Sequence, residues 1–155
     1  MRPIVIILII ILFFAILLIM GGRIYNSNVA IPAGVGEGVL APCPESPNCV
    51  STLATDGQHK IEPLALTQSP TDAISDLAEI VVAMGNSRVI TKNKTYLHVE
   101  IRSSLWNFID DVEFLVDEES GKIESRSAAR MGYSDMGVNK ARYEKISAEF
   151  LSKSP

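Results

Sequence analysis

The sequence predicts an α+β protein: a mainly antiparallel sheet of about four strands with two packed helices, preceded by one N-terminal transmembrane helix. Residues 3–22 are apolar and uncharged, residues 70–84 carry apolar side chains at helical spacing, and residues 95–129 contain segments in which polar and apolar residues alternate. The 155-residue length accommodates one such domain beyond the apolar segment. We therefore predict a transmembrane anchor over residues 1–23, a flexible tether over residues 24–42, and the α+β domain over residues 43–155.

The first apolar segment has the length and composition of a membrane span. Residues 3–22 contain no charged side chain, and about 20 apolar residues in a helix cross the ~30 Å hydrocarbon core of a bilayer. A cleaved signal peptide is the alternative, but its apolar core is usually ~7–15 residues long, and Asn28 and Ala30 make a poor cleavage site. We predict an uncleaved single-pass anchor. Arg2 and Arg23 flank the span, which weakly favours a cytoplasmic amino terminus and an exported domain.

The two cysteines of the chain, Cys43 and Cys49, are separated by five residues. Two cysteines this close in a proline-containing loop can form a disulfide in an oxidising compartment. Two free thiols and half of a metal site are the alternatives. Two thiolates alone do not complete a zinc shell, and neither His59 nor His98 stands at characteristic ligand spacing. We favour the disulfide and predict no metal and no cofactor.

Two segments of the domain are predicted to be helices that pack on the sheet. The first opens at residues 69–72, Ser-Pro-Thr-Asp, and ends at Gly85, as is typical of helix starts and ends. Its apolar stripe consists of Ala73, Ile74, Leu77, Ala78, Ile80, Val81 and Met84. The second helix runs over about residues 139–150, and the positions that we expect to be buried are Ala141, Ile146 and Phe150.

The predicted strands cover residues 88–91, 95–103, 108–117 and 122–129. Apolar and polar side chains alternate in the longer strands, so one face of the sheet is apolar and the other is polar. The short turns fix the register, because a slip of one residue would exchange the two faces. The expected cross-strand pairs are Val99 with Val112, His98 with Glu113, Glu100 with Asp111, Glu113 with Arg126, Phe114 with Ser125, and Val116 with Ile123.

A strand–turn–helix junction at residues 125–140 holds two arginines, a tyrosine, an aspartate, an asparagine and two glycines. Arginine suits carboxylate or phosphate because its planar guanidinium presents two parallel donors. We therefore predict a site for an anionic ligand, in which Asn139 caps the last helix and Asp135 pairs with an arginine when no ligand is bound. The predicted site residues are His98, Glu113, Arg126, Arg130, Tyr133, Asp135 and Asn139.

Two other interpretations of the polar face stay open. It can be an ordinary solvated face with cross-strand ion pairs, each of which contributes about 0.2–1 kcal/mol. Alternatively, the last helix can cover the face and bury the charges as a structural network. In that arrangement the Glu113–Arg126 pair is costly to break without being more stabilising than apolar packing.

The favoured function is a non-enzymatic envelope module that binds an anionic group, such as a lipid headgroup or the acidic surface of a partner protein. A hydrolase-like enzyme with His98 as general base, oriented by Glu100 or Glu113, is one alternative. The sequence offers that enzyme no nucleophile elbow, glycine-rich phosphate loop or HExxH motif. A structural or assembly subunit is the other alternative. The net charge of −4 argues against a general nucleic-acid binder.

Three ordered blocks of the sequence resemble the bacterial DUF1499 family, small proteins or domains of unknown function that often have a membrane segment. The blocks are residues 43–51, 110–114 and 126–139, and the resemblance covers roughly residues 40–150. Ala129 stands where the family usually has serine, and Lys140 where it usually has arginine. The family has no settled activity, so the resemblance implies no mechanism. Together with the anchor, it implies the bacterial inner membrane, with the domain on the periplasmic side.

Overall fold

The computed structural model describes residues 3–27 and 38–153. It confirms the α+β class, with an antiparallel sheet of six strands instead of about four. The two additional strands, β1 and β2, are only three and two residues long, too short to show alternation in the sequence. In chain order the elements are α1 (Pro3–Ser27), β1 (Cys49–Ser51), β2 (Leu64–Ala65), α2 (Pro70–Ala83), β3 (Ser87–Lys92), β4 (Tyr96–Arg102), β5 (Ile109–Asp117), β6 (Lys122–Ala129) and α3 (Val138–Lys153).

Helix α1 is long and apolar enough to cross a membrane, although a signal sequence has the same properties. The most apolar 18-residue window of residues 3–26 has a mean hydropathy of 3.6, and none of it is buried in the protein. The helix continues to Ser27, four residues into the stretch predicted to be a tether. The rest of that tether, residues 28–37, lies outside the described residues, as does the weak cleavage site at Asn28 and Ala30.

Helix α2 begins and ends where its sequence predicts. Ser69 is the N-cap and accepts a hydrogen bond from the backbone N–H of Asp72, while Pro70 occupies the first turn, where its missing N–H costs nothing. Gly85 follows the C-cap with φ at 80°, a left-handed conformation that glycine adopts without strain. The predicted apolar stripe is buried up to Val81, and Met84 packs at its edge.

The sheet has the strand order β1-β6-β5-β4-β3, and β2 also pairs with β6. Every cross-strand pair expected from the sequence is confirmed, from Val99 opposite Val112 to Val116 opposite Ile123. Strand β3 contains an irregularity between Val89 and Thr91, and on its amino-terminal side Arg88 lies opposite Glu100. An extra residue in one strand shifts the register by one position, so this bulge decides which β3 side chains share a face with β4.

The core lies between one face of the sheet and helices α2 and α3. The apolar side chains of β4, β5 and β6 pack there against Ile74 and Leu77 of α2 and against Ile146 and Phe150 of α3. The expectation that Ala141 is buried is wrong, because Ala141 is exposed and Tyr143 is buried instead. The buried stripe of α3 follows positions 139, 143, 146 and 150, which lie on one side of a helix with 3.6 residues per turn.

Candidate functional site

The sheet face opposite α2 and α3 carries charged side chains, yet these side chains are buried. His98, Glu100, Asp111, Glu113 and Arg126 are each at most 8% exposed. An antiparallel sheet commonly leaves this second face in water, where such residues need no partners. Buried charges must be paired and hydrogen-bonded to persist in a low-dielectric environment. The geometry of the pairs therefore decides what each residue can do.

Arg130 holds the centre of this face together. Its Nε and Nη2 atoms donate to the two carboxylate oxygens of Asp111, each at 2.7 Å, and Nη2 also donates to Oε1 of Glu100 at 2.6 Å. The Arg130 side chain is 3% exposed. Burial by itself raises the pKa of Asp111 and of Glu100, but the hydrogen bonds from Arg130 outweigh burial, with help from His98 and Arg88 respectively, so both pKa values are lowered.

His98 is bound into the same cluster. Its Nε2 atom lies 2.7 Å from Oδ1 of Asp111, and the imidazole is buried. The hydrolase alternative expected Glu100 or Glu113 to orient the imidazole. Asp111 contacts it instead, although Glu113 lies directly opposite His98 in the register. A general base must reach the proton that it removes. With its Nε2 facing Asp111 inside the protein, His98 has the setting of a structural residue.

Glu113 and Arg126 form a second buried pair beside the first. Arg126 donates from Nη1 to Oε2 of Glu113 at 2.9 Å, and the Tyr96 hydroxyl donates to Oε1 at 2.7 Å. In the part of the chain that the structure describes, the buried Nε of Arg126 has no hydrogen-bond acceptor. Arg126 is thus less completely satisfied than Arg130, although Arg126 and Tyr96 together engage both oxygens of Glu113.

The remaining predicted site residues belong to the start of α3. Asn139 is fully buried in the helix; its Oδ1 accepts from the Ser127 hydroxyl at 2.5 Å, and its Nδ2 donates to Oδ2 of Asp135 at 2.8 Å. Asp135, not Asn139, satisfies the backbone N–H groups at this helix start, those of Gly137 and Asn139. Burial opposes these hydrogen bonds, which nevertheless lower the pKa of Asp135. The expected capping by Asn139 is therefore wrong.

The predicted locus is thus divided among three places. His98 and Arg130 meet at Asp111, Glu113 meets Arg126, and Asp135 meets Asn139. Contrary to expectation, Asp135 has no arginine partner among the described residues. Its carboxylate instead accepts hydrogen bonds from the backbone N–H groups at the start of α3. Tyr133 stands apart from all three, with 77% of its surface exposed.

An open cleft adjoins the Glu100 end of the buried cluster. Arg88 donates to Oε2 of Glu100 from Nε at 3.1 Å and from Nη2 at 2.8 Å, and Arg102 donates to the same oxygen at 3.2 Å. The Arg88 side chain is 61% exposed, and that of Arg102 is partly exposed. The cleft has a volume of about 270 Å³ and is lined by Arg23, Asn86, Ser87, Arg88, Arg102, Ser103, Ser104 and Asn107. We name it the arginine cleft.

Sequence reasoning did not identify Arg23 and Arg88 as site residues. Arg88 shares a face with Glu100 because of the bulge in β3; continuous pairing from the β3–β4 turn would have placed Val89 there. Arg23 reaches the cleft because its guanidinium donates to the backbone carbonyls of Ser104 and Leu105 at 2.5 and 3.0 Å. That contact joins residues about eighty positions apart, and no local pattern signals it.

The described chain has few other features of a chemical centre. In residues 3–27 and 38–153, no three His, Cys, Asp or Glu side chains are grouped so that they could hold a metal ion. Cys43 and Cys49 are joined in a disulfide with their Cα atoms 5.7 Å apart, so neither has a free thiol.

Comparison with curated proteins finds no match to this chain. A family model does match residues 39–150, which contain β1 to β6, α2 and nearly all of α3. The matched region includes the buried ion pairs and two of the three arginines of the cleft, Arg88 and Arg102, while Arg23 lies before it. The chain belongs to the DUF1499 family, whose description is "Protein of unknown function".

Proposed function

We propose that this protein is a membrane-anchored, non-enzymatic domain whose arginine cleft binds the phosphate of an anionic lipid headgroup. One observation carries the proposal: three arginines, Arg23, Arg88 and Arg102, line a single cleft. Glu100 is the carboxylate that Arg88 and Arg102 share, and its other oxygen is engaged by Arg130. Two exposed or partly exposed arginines, Arg88 and Arg102, thus meet one carboxylate that Arg130 already partly neutralises, and this local excess of positive charge attracts an anion.

The cleft also has donors suited to phosphate oxygens. Arg88 uses Nε and Nη2 for Glu100, which leaves its Nη1 without a hydrogen-bond partner in the described part of the chain. The side-chain amide of Asn86 and the hydroxyl of Ser104 lie 3.0 Å apart at the rim and add neutral donors. Planar guanidinium groups supported by amides and hydroxyls are a common means of phosphate recognition.

A lipid is favoured over other anions because of where the cleft lies. Arg23 closes it from the carboxyl-terminal end of α1, just after the apolar residues of the candidate span. Arginine at the end of a membrane helix lies at the level of the headgroups. On this proposal α1 is an uncleaved anchor, and the Cys43–Cys49 disulfide supports export into an oxidising compartment. We accordingly place the domain on the periplasmic side of a bacterial inner membrane.

The buried residues of the same face have a different role in this proposal. We propose a structural role for four buried residues of this face, His98, Glu113, Arg126 and Arg130. Their ion pairs stabilise the fold and are not accessible to a ligand. Their part in binding is indirect: Arg130 engages one oxygen of Glu100 and so leaves a single oxygen for the two rim arginines. Because His98 is enclosed beside Asp111, no observation favours the hydrolase alternative.

Thermal unfolding of the full chain in neutral detergent tests the proposal, because a ligand that binds the native state raises the Tm. We expect phosphatidylglycerol to raise the Tm, phosphatidylcholine to leave it unchanged, and inorganic phosphate to act weakly. The variant Arg88→Gln/Arg102→Gln should lose the response. The matched control is Lys92→Gln/Lys94→Gln, which removes the same charge at the other end of the β3–β4 hairpin and should keep the response.

Two outcomes would refute this function. An equal response of wild type and Arg88→Gln/Arg102→Gln would place the lipid elsewhere. If phosphatidylglycerol does not raise the Tm of the wild-type protein, an anionic lipid is not the ligand. In that case, a cellular defect confined to the Arg88→Gln/Arg102→Gln variant would indicate an acidic partner protein instead.

A further inference from the structure

The loop between β4 and β5 exposes large apolar side chains at one place on the domain. Leu105, Trp106 and Phe108 are 56%, 39% and 43% exposed, all within four consecutive positions. Single exposed apolar residues are common on soluble proteins, but a contiguous group of this kind marks an interaction surface. The loop is not part of the hydrophobic core between the sheet and α2 and α3.

Hydrogen bonds attach this loop to the carboxyl-terminal end of α1. Arg23 donates to the carbonyls of Ser104 and Leu105, and the buried side-chain amide of Asn26 donates to the carbonyl of Trp106 at 2.7 Å. The indole also packs closely on the helix, since a methyl group at Gly22 would lie 3.3 Å from its ring. The loop therefore stands where the apolar helix ends.

The residues at this level have the composition of a membrane interface. Tryptophan and tyrosine are enriched at the headgroup boundary, where an apolar ring and a polar atom are solvated together. Trp106 packs on Gly22, the residue before Arg23, and the exposed Tyr25 follows on the same helix end. Leucine and phenylalanine next to such a ring gain free energy by leaving water for the acyl boundary.

We propose that the β4–β5 loop inserts Leu105, Trp106 and Phe108 into the headgroup–acyl boundary of the leaflet that α1 leaves. The occupant of this surface is the bilayer itself, because the loop continues the apolar surface of α1. With both α1 and the β4–β5 loop in the bilayer, the domain would have a fixed orientation relative to the membrane. Ser103, Ser104 and Asn107 of the same loop line the arginine cleft, so insertion also brings that cleft to the phosphates.

The inference rests on the membrane anchor of the proposed function but does not depend on lipid binding in the cleft. Trp106 is the only tryptophan of the chain, so its fluorescence reports on this loop alone. The full chain is reconstituted into phosphatidylcholine vesicles that contain lipids brominated near the headgroup end or near the terminal end of the acyl chains. Flotation after an alkaline carbonate wash establishes, in the same sample, whether the protein is anchored.

We expect Trp106 to lose most of its emission to the shallow bromines and less to the deep ones. The matched reporter is Trp106→Phe/Lys94→Trp, which moves the indole to the exposed β3–β4 turn at the opposite end of the sheet and should stay unquenched. Protein that floats with unquenched Trp106 overturns loop insertion and leaves the anchor intact. Equal quenching of the moved indole also overturns it, and protein that fails to float overturns the anchor and the insertion together.

Discussion

The arginines on the polar face of the sheet occupy two contrasting environments. Arg126 and Arg130 are buried and bound to carboxylates, whereas Arg88 and Arg102 share a single oxygen of Glu100 at an open rim. All four share one face with carboxylates of the central strands. The contrast teaches that burial and the number of available carboxylate oxygens, rather than residue type, separate a structural arginine from one that is free to bind. Glu100 contacts arginines of both kinds.

The largest expected effect comes from the buried side of this comparison. Arg130→Ala leaves Asp111 and Glu100 without their main partner, and breaking a buried ion pair typically costs about 3–5 kcal/mol. Arg130→Lys should also be strongly destabilising, because a single ammonium cannot reproduce the fork on Asp111 together with the bond to Glu100. The free energy of unfolding of the full chain in detergent, from denaturant titration, measures both.

The rim variant Arg88→Ala is the control for this prediction, since it removes the same charge from the open end of the cluster. If Arg130→Ala and Arg88→Ala lose equal stability, the division into structural and binding arginines is wrong. If Arg130→Lys matches wild type, the fork geometry has no importance and only the charge matters.

The second prediction concerns acid. The pKa values of Asp111 and Glu100 are lowered in the folded protein. These groups therefore stabilise the fold at pH values above 3.8 and 4.5, the ordinary pKa values that they have in the unfolded chain. That contribution is lost as the pH falls through those values toward the folded pKa values, since the unfolded chain then binds more protons. We expect the free energy of unfolding to fall steeply below about pH 5.

Other carboxylates with lowered pKa values, such as Asp135, contribute to the same slope. The network is therefore isolated by comparing wild type with Arg130→Lys from pH 7 to pH 3. The variant should lose less stability over this range, because its Asp111 and Glu100 have pKa values closer to ordinary ones. Parallel curves would show that the two carboxylates are not coupled to Arg130.

The comparison also separates what the sequence predicts from what it cannot predict. Strict alternation and short turns were enough for the register of β4, β5 and β6, including Glu113 opposite Arg126. Alternation does not show whether a polar face is covered, so the burial of that pair stayed open. The Arg88–Glu100 pair depends on a bulge, and the Arg23 contacts depend on tertiary packing. Ala141 was misplaced because the few apolar residues of α3 do not fix its phase, which buried Asn139 and Tyr143 decide.

The third prediction concerns Arg88, at the exposed rim of the arginine cleft. Arg88→Gln should change the free energy of unfolding by no more than about 1 kcal/mol, because the Arg88 guanidinium is largely in solvent although Glu100 is buried. Glu100 keeps its bond from Arg130 in this variant, so no buried charge is left alone. The same variant should reduce the phosphatidylglycerol-dependent rise in Tm, and salt should reduce that rise in wild type. A large loss of stability would make Arg88 part of the structural network.

The smallest expected effect is at Tyr133, which the sequence placed in the binding site. The residue is 77% exposed, and among the described residues its hydroxyl has no hydrogen-bond partner, so Tyr133→Ala should change stability by no more than about 0.5 kcal/mol. Because Tyr133 does not line the arginine cleft, the variant should also keep the full response to phosphatidylglycerol. The measurement is the thermal unfolding used for Arg88→Gln/Arg102→Gln, with that double variant as the comparison. A folded Tyr133→Ala protein that no longer responds to phosphatidylglycerol would move the binding site from the arginine cleft to the junction before α3. The comparison between buried and rim arginines would then describe the stability of the face but not its function.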